Sequence, residues 1–228
     1  MARLPVDELL IFSRKAVLTA IGKALETRPV GGFSEKQAAA GLERPPVLVL
    51  DGPERPSVLV LDATAGNGVD TEFLAQAVEE GGLVLAFDVQ DEALQNTRER
   101  LEKFRVGGRV RLLKDSHERL GAYLGPYLAA GTRVTAAMYN LGFLPGGASK
   151  LSTLAESTVT SLEQLRPCMA SGSVISIHCY AGHEQGQAET AAVRAWAESL
   201  PWTDWRVLRY EFCNKPSNRE ALFLVTCL

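Results

Sequence analysis

From residue 57 onward the chain alternates short apolar runs with amphipathic stretches: SVLVLDA, TEFLAQAVEE, LVLAFDV, DEALQNTRERLEKF, RVRLLKD. Strands that alternate with helices need right-handed crossovers, so this pattern predicts an α/β fold built on a mainly parallel sheet. A less regular helical stretch follows to about residue 130. The second half continues with the strand RVTAAMYN, the loop NLGFLPGGASK, a helix over roughly 153–169, the strand SVISIHCY and a helix over roughly 185–199. Two closing strands, WRVLRYEF and ALFLVTCL, are separated by only a few residues and form a hairpin. Seven strands are expected in all.

Upstream of this core, residues 6–26 carry Leu9, Leu10, Phe12, Val17, Leu18, Ile21 and Leu25 near helical spacing, which predicts an amphipathic helix packed as a lid or flank. Residues 28–56 contain five prolines and several glycines and have the composition of a connecting segment. The expected division is an N-terminal helix plus insertion over 1–56, part of the same domain, and a core over 57–228. The string VLVLD occurs twice, at 47–51 and 58–62. Asp51 is followed by GPERP, whose prolines block an immediate strand-to-helix turn, whereas Asp62 is followed by ATAGNGVDT and a helix. The second copy is therefore the expected cofactor strand, and the first an extra edge strand or hairpin arm.

Composition removes several function classes. With 46% hydrophobic and 22% charged residues the chain is an ordinary globular protein, and its formal charge of −3 excludes a grip on nucleic acid through bulk charge alone. A local basic run from Arg98 through Arg100, Lys103, Arg105, Arg109 and Arg111 to Lys114 has the look of a solvated helix face and loop. The four cysteines show no ligand or disulfide spacing, no metal site is expected, and no apolar run is long enough to span a bilayer. A cytoplasmic protein without a membrane partner is the expectation. No motif specifies an oligomer, although a homodimer is compatible with the pattern.

The expected chemistry lies at the carboxyl ends of the strands, where open α/β sheets bind ligands. In DATAGNGVDT, Gly66 and Gly68 let backbone N–H groups approach a ligand, and Asp62 or Asp70 can sit near an ammonium group. The third glycine of the dinucleotide fingerprint is replaced by Thr71, which weakens an NAD reading. Asp88 ends the next strand, placed to accept both hydroxyls of a ribose beside Gln90, or else to cap the following helix, a task open to Asp91 as well. Asp115, Ser116 and His117 end the third strand, where they can border an adenine, or else His117 is a helix cap or a satisfied surface residue. Asn140 opens the loop after the fourth, where an amide oxygen can accept hydrogen bonds from an amine, or else it is an ordinary turn asparagine. Tyr180, Gly182, His183 and Glu184 end the fifth. His183 is suited to take a proton or else to hold its loop together. Asn214 in the closing turn is a candidate for the substrate rim.

Taken together, DATAGNGVDT, FDVQ, DSHE, YNLGFLPGG, YAGHEQGQAE and RYEFCN resemble, in order and spacing, the family labelled rRNA methylases, over about residues 57–228. Its members are understood to methylate the aminomethyl group on the wobble uridine of tRNA. The resemblance implies a Rossmann-like class I methyltransferase fold, flanked by helices, and S-adenosylmethionine as donor. It further implies that 5-aminomethyl(-2-thio)uridine in the anticodon region of tRNA is converted to its methylaminomethyl form. It assigns Asp62, Thr64, Gly66, Asn67, Gly68, Asp70 and Thr71 to the donor loop, Asp88 and Gln90 to the ribose and Ser116 and His117 to the adenine. Asn140, Leu141, Gly142 and Phe143 fall to the amine, with Tyr180 and His183 orienting or deprotonating it. Two departures stand out: the 28–56 insertion, and NREALF where the family has a Pro-Pro pair. The alternatives are methylation of rRNA or of a small amine, an NAD(P)-dependent oxidoreductase, and a non-catalytic binding module on the same fold.

Overall fold

The computed structural model describes residues 7–27, 56–142, 152–215 and 219–228. In chain order the elements are helix α1 (Asp7–Glu26), β1 (Leu59–Asp62), α2 (Val69–Ala77), β2 (Leu83–Asp88), α3 (Asp91–Phe104), β3 (Val110–Lys114), α4 (Leu120–Ala129), β4 (Val134–Asn140), α5 (Ala155–Leu165), β5 (Met169–Tyr180), α6 (Glu184–Ser199), β6 (Trp205–Tyr210) and β7 (Glu220–Cys227). The strands form one seven-stranded sheet in the order β3-β2-β1-β4-β5-β7-β6. β1 to β5 run parallel, and β7 enters antiparallel between β5 and β6. The order reverses between β1 and β4, which opens a crevice at their carboxyl ends. The first VLVLD and Phe143 lie outside the described residues.

Both faces of the sheet are buried, and the two-residue period of the strands divides the core. Leu59 and Leu61 of β1 and Leu83, Leu85 and Phe87 of β2 join the cluster under α4, α5 and α6. Val58 and Val60, with Val84 and Ala86, join the cluster under α1, α2 and α3. This is why these strands read as continuous apolar runs rather than as alternating ones. Among the described residues no helix is long and apolar enough to cross a membrane.

α1 covers β4, β5 and β7. Its buried face differs from the expected stripe: Leu9, Val17, Ala20 and Ile21 are inside, whereas Phe12 and Leu18 are 45% and 47% exposed. The reason is polar. Ser13 is buried and its hydroxyl meets that of Ser176 on β5 at 2.6 Å, so the helix turns a serine, not Phe12, toward the sheet. Phe12 lies at the margin instead, stacked on Tyr210 with ring centroids 5.0 Å apart.

Because Ile21 is only 2% exposed within the α1–α3 core, Ile21→Ala should lower stability by about 2–4 kcal/mol, while Leu18→Ala at the exposed face should cost under about 0.5. Urea denaturation checks this. Equal, negligible losses would show that α1 is a detachable lid.

Candidate active site

The turn after β1 is organised by one buried carboxyl. Asp62 is 1% exposed; its Oδ1 accepts the Thr64 N–H at 3.0 Å and its Oδ2 accepts the Thr71 hydroxyl at 2.6 Å. Burial, then the neighbouring Asp70 carboxylate, push its pKa up from 3.8 to about 7, against the lowering effect of the Thr71 and Thr64 hydrogen bonds. Asp62, Gly68 and Thr71 stand behind the wall of the cleft rather than lining it. Gly68 has φ +75°, and a Cβ there would lie 2.8 Å from the Thr97 backbone, so this glycine permits the close approach of α3. Gly66, with φ +52°, does line the cleft; its N–H donates to Asp88 Oδ2 at 3.0 Å, and its carbonyl accepts the Thr97 hydroxyl at 3.0 Å.

The cleft has a volume of about 810 Å³ and runs across the ends of β1 to β5. On one side Asp88 also accepts the Gln90 N–H at 2.9 Å, so its two oxygens fix the loop and keep lone pairs for a further donor. Gln90, not Asp88 or Asp91, occupies the cap position of α3 and makes no side-chain cap bond. Asn67 is held by the Asn96 amide at 2.9 Å. Ser116 accepts the Glu118 N–H at 3.3 Å, and Asp115 takes the Tyr123 hydroxyl at 2.8 Å. His117 is buried, with Nδ1 3.0 Å from the Ala63 carbonyl. That contact requires the proton on Nδ1 and leaves Nε2 an acceptor without a partner among the described residues. Burial lowers the His117 pKa, so the neutral ring is favoured.

On the other side, the Asn140 N–H donates to the Thr64 hydroxyl at 2.8 Å, and its side-chain Nδ2 lies 3.5 Å from Asp70 Oδ2. Asp70 is paired with Arg14 of α1 at 3.1 Å. Leu141 N–H donates to the His178 carbonyl at 2.9 Å, and Gly142 N–H to the Thr153 hydroxyl at 3.1 Å. Thr153 and Thr158 in turn both donate to the buried Glu189 of α6, each at 2.7 Å. His183 caps α6 by accepting the Gly186 N–H on Nδ1 at 3.1 Å, which is the loop-holding role. Gly186 is required beside it, since a Cβ would fall 2.1 Å from the Tyr180 carbonyl. The Tyr180 hydroxyl sits 3.1 Å from His178 Nδ1.

The cleft thus gathers Thr64, Gly66, Asn67, Asp70, Asp88, Gln90, Ser116, His117, Asn140, Leu141, Gly142, Tyr180 and His183. Asn214 is not among them; it is exposed in the turn after β6. The sequence reading missed Arg14, Thr153, Glu189 and His178. Glu189 did leave a signal, as the last residue of YAGHEQGQAE on a buried helix face, but Arg14 left none. The basic run is mostly spent within the protein: Arg100 on Glu72, Arg109 on the Ala75 carbonyl, Arg111 on the Tyr127 hydroxyl and Lys114 on Asp91.

The strand order and a cleft at its reversal define a Rossmann-like fold of the class I methyltransferase kind. The chain belongs to the family described as "Putative rRNA methylase", whose model matches residues 84–226. It is 32% identical over 171 residues to the "tRNA (mnm(5)s(2)U34)-methyltransferase, chloroplastic" of Arabidopsis thaliana, an alignment that covers 71% of this chain and 61% of that protein. The chain therefore spans under two thirds of the length of that curated relative. Among solved structures, the "putative rRNA-methylase" of Clostridium thermocellum matches with a TM-score of 0.71 and 33% identity, over 76% of this chain and 90% of that one. A "putative methyltransferase" of Streptococcus mutans in complex with SAH matches with a TM-score of 0.66 and 30% identity, over the same shares.

The raised pKa of Asp62 fixes the sign of a pH effect. Its folded form binds a proton more tightly than the unfolded chain, so the stability it contributes is complete below about pH 4 and is lost as pH rises through about 7. Asp62→Asn, which never ionises, should gain on the native protein across that window by up to the order of 4 kcal/mol. Urea midpoints at pH 4.5 and 7.5 test this, and a difference independent of pH would contradict it.

Proposed function

We propose that the protein transfers a methyl group from S-adenosylmethionine to the primary amine of 5-aminomethyluridine, with or without a 2-thio group, at the wobble position of tRNA. The observation that carries this reading is the setting of Asn140. Its main chain is tied to the glycine loop through Thr64, and its amide nitrogen faces Asp70, so Oδ1 is turned out as an acceptor. An amine N–H held there lies beside the loop expected to hold the donor. The reaction named for the Arabidopsis relative supports the choice of substrate.

The residues present fit the donor. The Gly66 turn offers cleft-lining backbone at a positive φ, Asp88 offers carboxylate lone pairs to ribose hydroxyls, and the buried His117 Nε2 is an acceptor matched to an adenine amino group. Bound there, the donor supplies a methyl carbon on sulfonium, open to direct attack by a neutral amine. The protein's own share is to align the amine through Asn140, to draw a cationic substrate toward Asp70, and to provide a route for one proton. With net charge −3 and its basic run largely paired, the chain would recognise tRNA by local contacts around the cleft, not by bulk charge. All four cysteines are free thiols, which supports a reducing compartment such as the cytoplasm.

Mass spectrometry of nucleosides from tRNA carrying the aminomethyl group, after incubation with protein and donor, tests the proposal. A gain of one methyl on the wobble uridine is expected, and methylation of rRNA or of a free amine instead would overturn it. In the same assay Asn140→Ala should slow transfer roughly 100-fold with the donor Kd within about 3-fold. Equal losses of binding and rate would remove the role assigned to Asn140.

A further inference from the structure

Three histidines occur in the chain, and their surroundings differ. The Nδ1 of His117 is committed to the Ala63 carbonyl and that of His183 to the Gly186 N–H. His178 joins the hydroxyl of Tyr180, a residue that lines the cleft, to a carboxylate behind it. Its Nδ1 is 3.1 Å from the Tyr180 hydroxyl, and its Nε2 is 3.9 Å from Glu220 Oε2 on β7. The two rings lie 4.3 Å apart and tilted, and the Tyr180 ring flanks Gly142 of the amine loop. Glu220 in turn meets Lys215 at 3.3 Å.

We propose, resting on the reading of the cleft as an amine-methylating site, that His178 receives through Tyr180 the proton that the substrate ammonium must lose before transfer. Tyr180 is then the group that touches the amine, and His178 a positioning residue that acts through it.

The carboxylate of Glu220 selects the tautomer with hydrogen on Nε2, so Nδ1 accepts the Tyr180 hydroxyl hydrogen and the tyrosine oxygen is turned to accept from the amine. When an ammonium N–H bond breaks, its electron pair stays on nitrogen as the lone pair needed for attack. The proton goes to Tyr180 Oη as the tyrosine's former proton passes to His178 Nδ1. The imidazolium formed then releases its Nε2 proton toward Glu220, whose carboxylate comes within hydrogen-bond range after a side-chain shift of about 1 Å.

The groups that face His178 fit a relay rather than a store. Tyr180 lies on its own strand, Glu220 on β7, Asp70 on α2 and Asn140 beside it on β4, while Arg14 of α1 holds Asp70 and Lys215 holds Glu220. Burial lowers the His178 pKa, opposed by Glu220 and Asp70, so the ring is neutral at rest and its charged form is supported only while the proton passes. Burial raises the pKa of Tyr180, which keeps its hydroxyl protonated until the substrate arrives.

His178→Asn provides the test, because an amide oxygen can still accept from Tyr180 but cannot take a proton. At pH 7 its methylation rate should fall about 30- to 100-fold with the donor Kd within about 2-fold, and the deficit should shrink to about 3-fold near pH 9.5, where more of the amine is neutral unaided. No deficit at pH 7, or an equal deficit at both pH values, would overturn the relay. Nitrogen-15 NMR of the histidine rings reads the same claim without turnover. His178 should show an unprotonated Nδ1 and a protonated Nε2 at pH 7, and the opposite tautomer would overturn it. If the native protein methylates no aminomethyl tRNA, the proposed function fails on that result, and the tautomer still decides for or against the relay.

Discussion

One buried carboxyl holds the site together. Asp62 ends β1 with its side chain turned into the protein, where it joins the first residues of the turn to the first turn of α2 through Thr64 and Thr71. From that anchor the rest follows in order. Ala63 and Ala65 bond to the Met138 and Phe87 carbonyls of the flanking strands, Gly66 reaches Asp88, and Thr64 presents its hydroxyl to Asn140. A carboxyl in so dry a place is costly as an anion, which is why its pKa rises to about 7 and why its two hydroxyl and amide donors matter.

The side of the cleft proposed to meet the amine depends on a second buried carboxyl. Glu189 on α6 collects the hydroxyls of Thr153 and Thr158, and Thr153 passes the support to Gly142. Burial raises the Glu189 pKa while both threonines oppose the rise. α1 adds a third brace, since Arg14 reaches Asp70 and lies 4.8 Å over the Phe73 ring. The loops that would meet donor and amine therefore rest on groups with fixed partners, the kind of preorganisation a transfer reaction needs.

Much of this was legible in the sequence because the responsible physics is local. Continuous apolar runs between helices specify a sheet buried on both faces, and ATAGNGVDT after Asp62 specifies the strand-to-helix turn by which β1 passes into α2. Roles that depend on distant partners were not legible. Phe12 and Leu18 fit the apolar stripe of α1, yet Ser13 takes the inward place because Ser176 awaits it 163 residues later. Gly68 reads as a loop glycine, but that α3 passes against it, leaving no room for a Cβ beside Thr97, is a tertiary fact. His178 sits inside an apolar strand, and only the pairing of β5 with β7 brings Glu220 within reach. Asn214, a polar residue in the turn after β6, is exposed and does not line the cleft.

The crevice between β1 and β4 is an adenosyl-methionine site and not a dinucleotide site. Isothermal titration calorimetry of the protein with S-adenosylmethionine, its demethylated product and NADH tests this most directly. One molecule of S-adenosylmethionine and one of the product should each bind per chain, both lost in Asp88→Ala, with no heat from NADH. Tight binding of NADH, with neither adenosyl ligand bound, would contradict it.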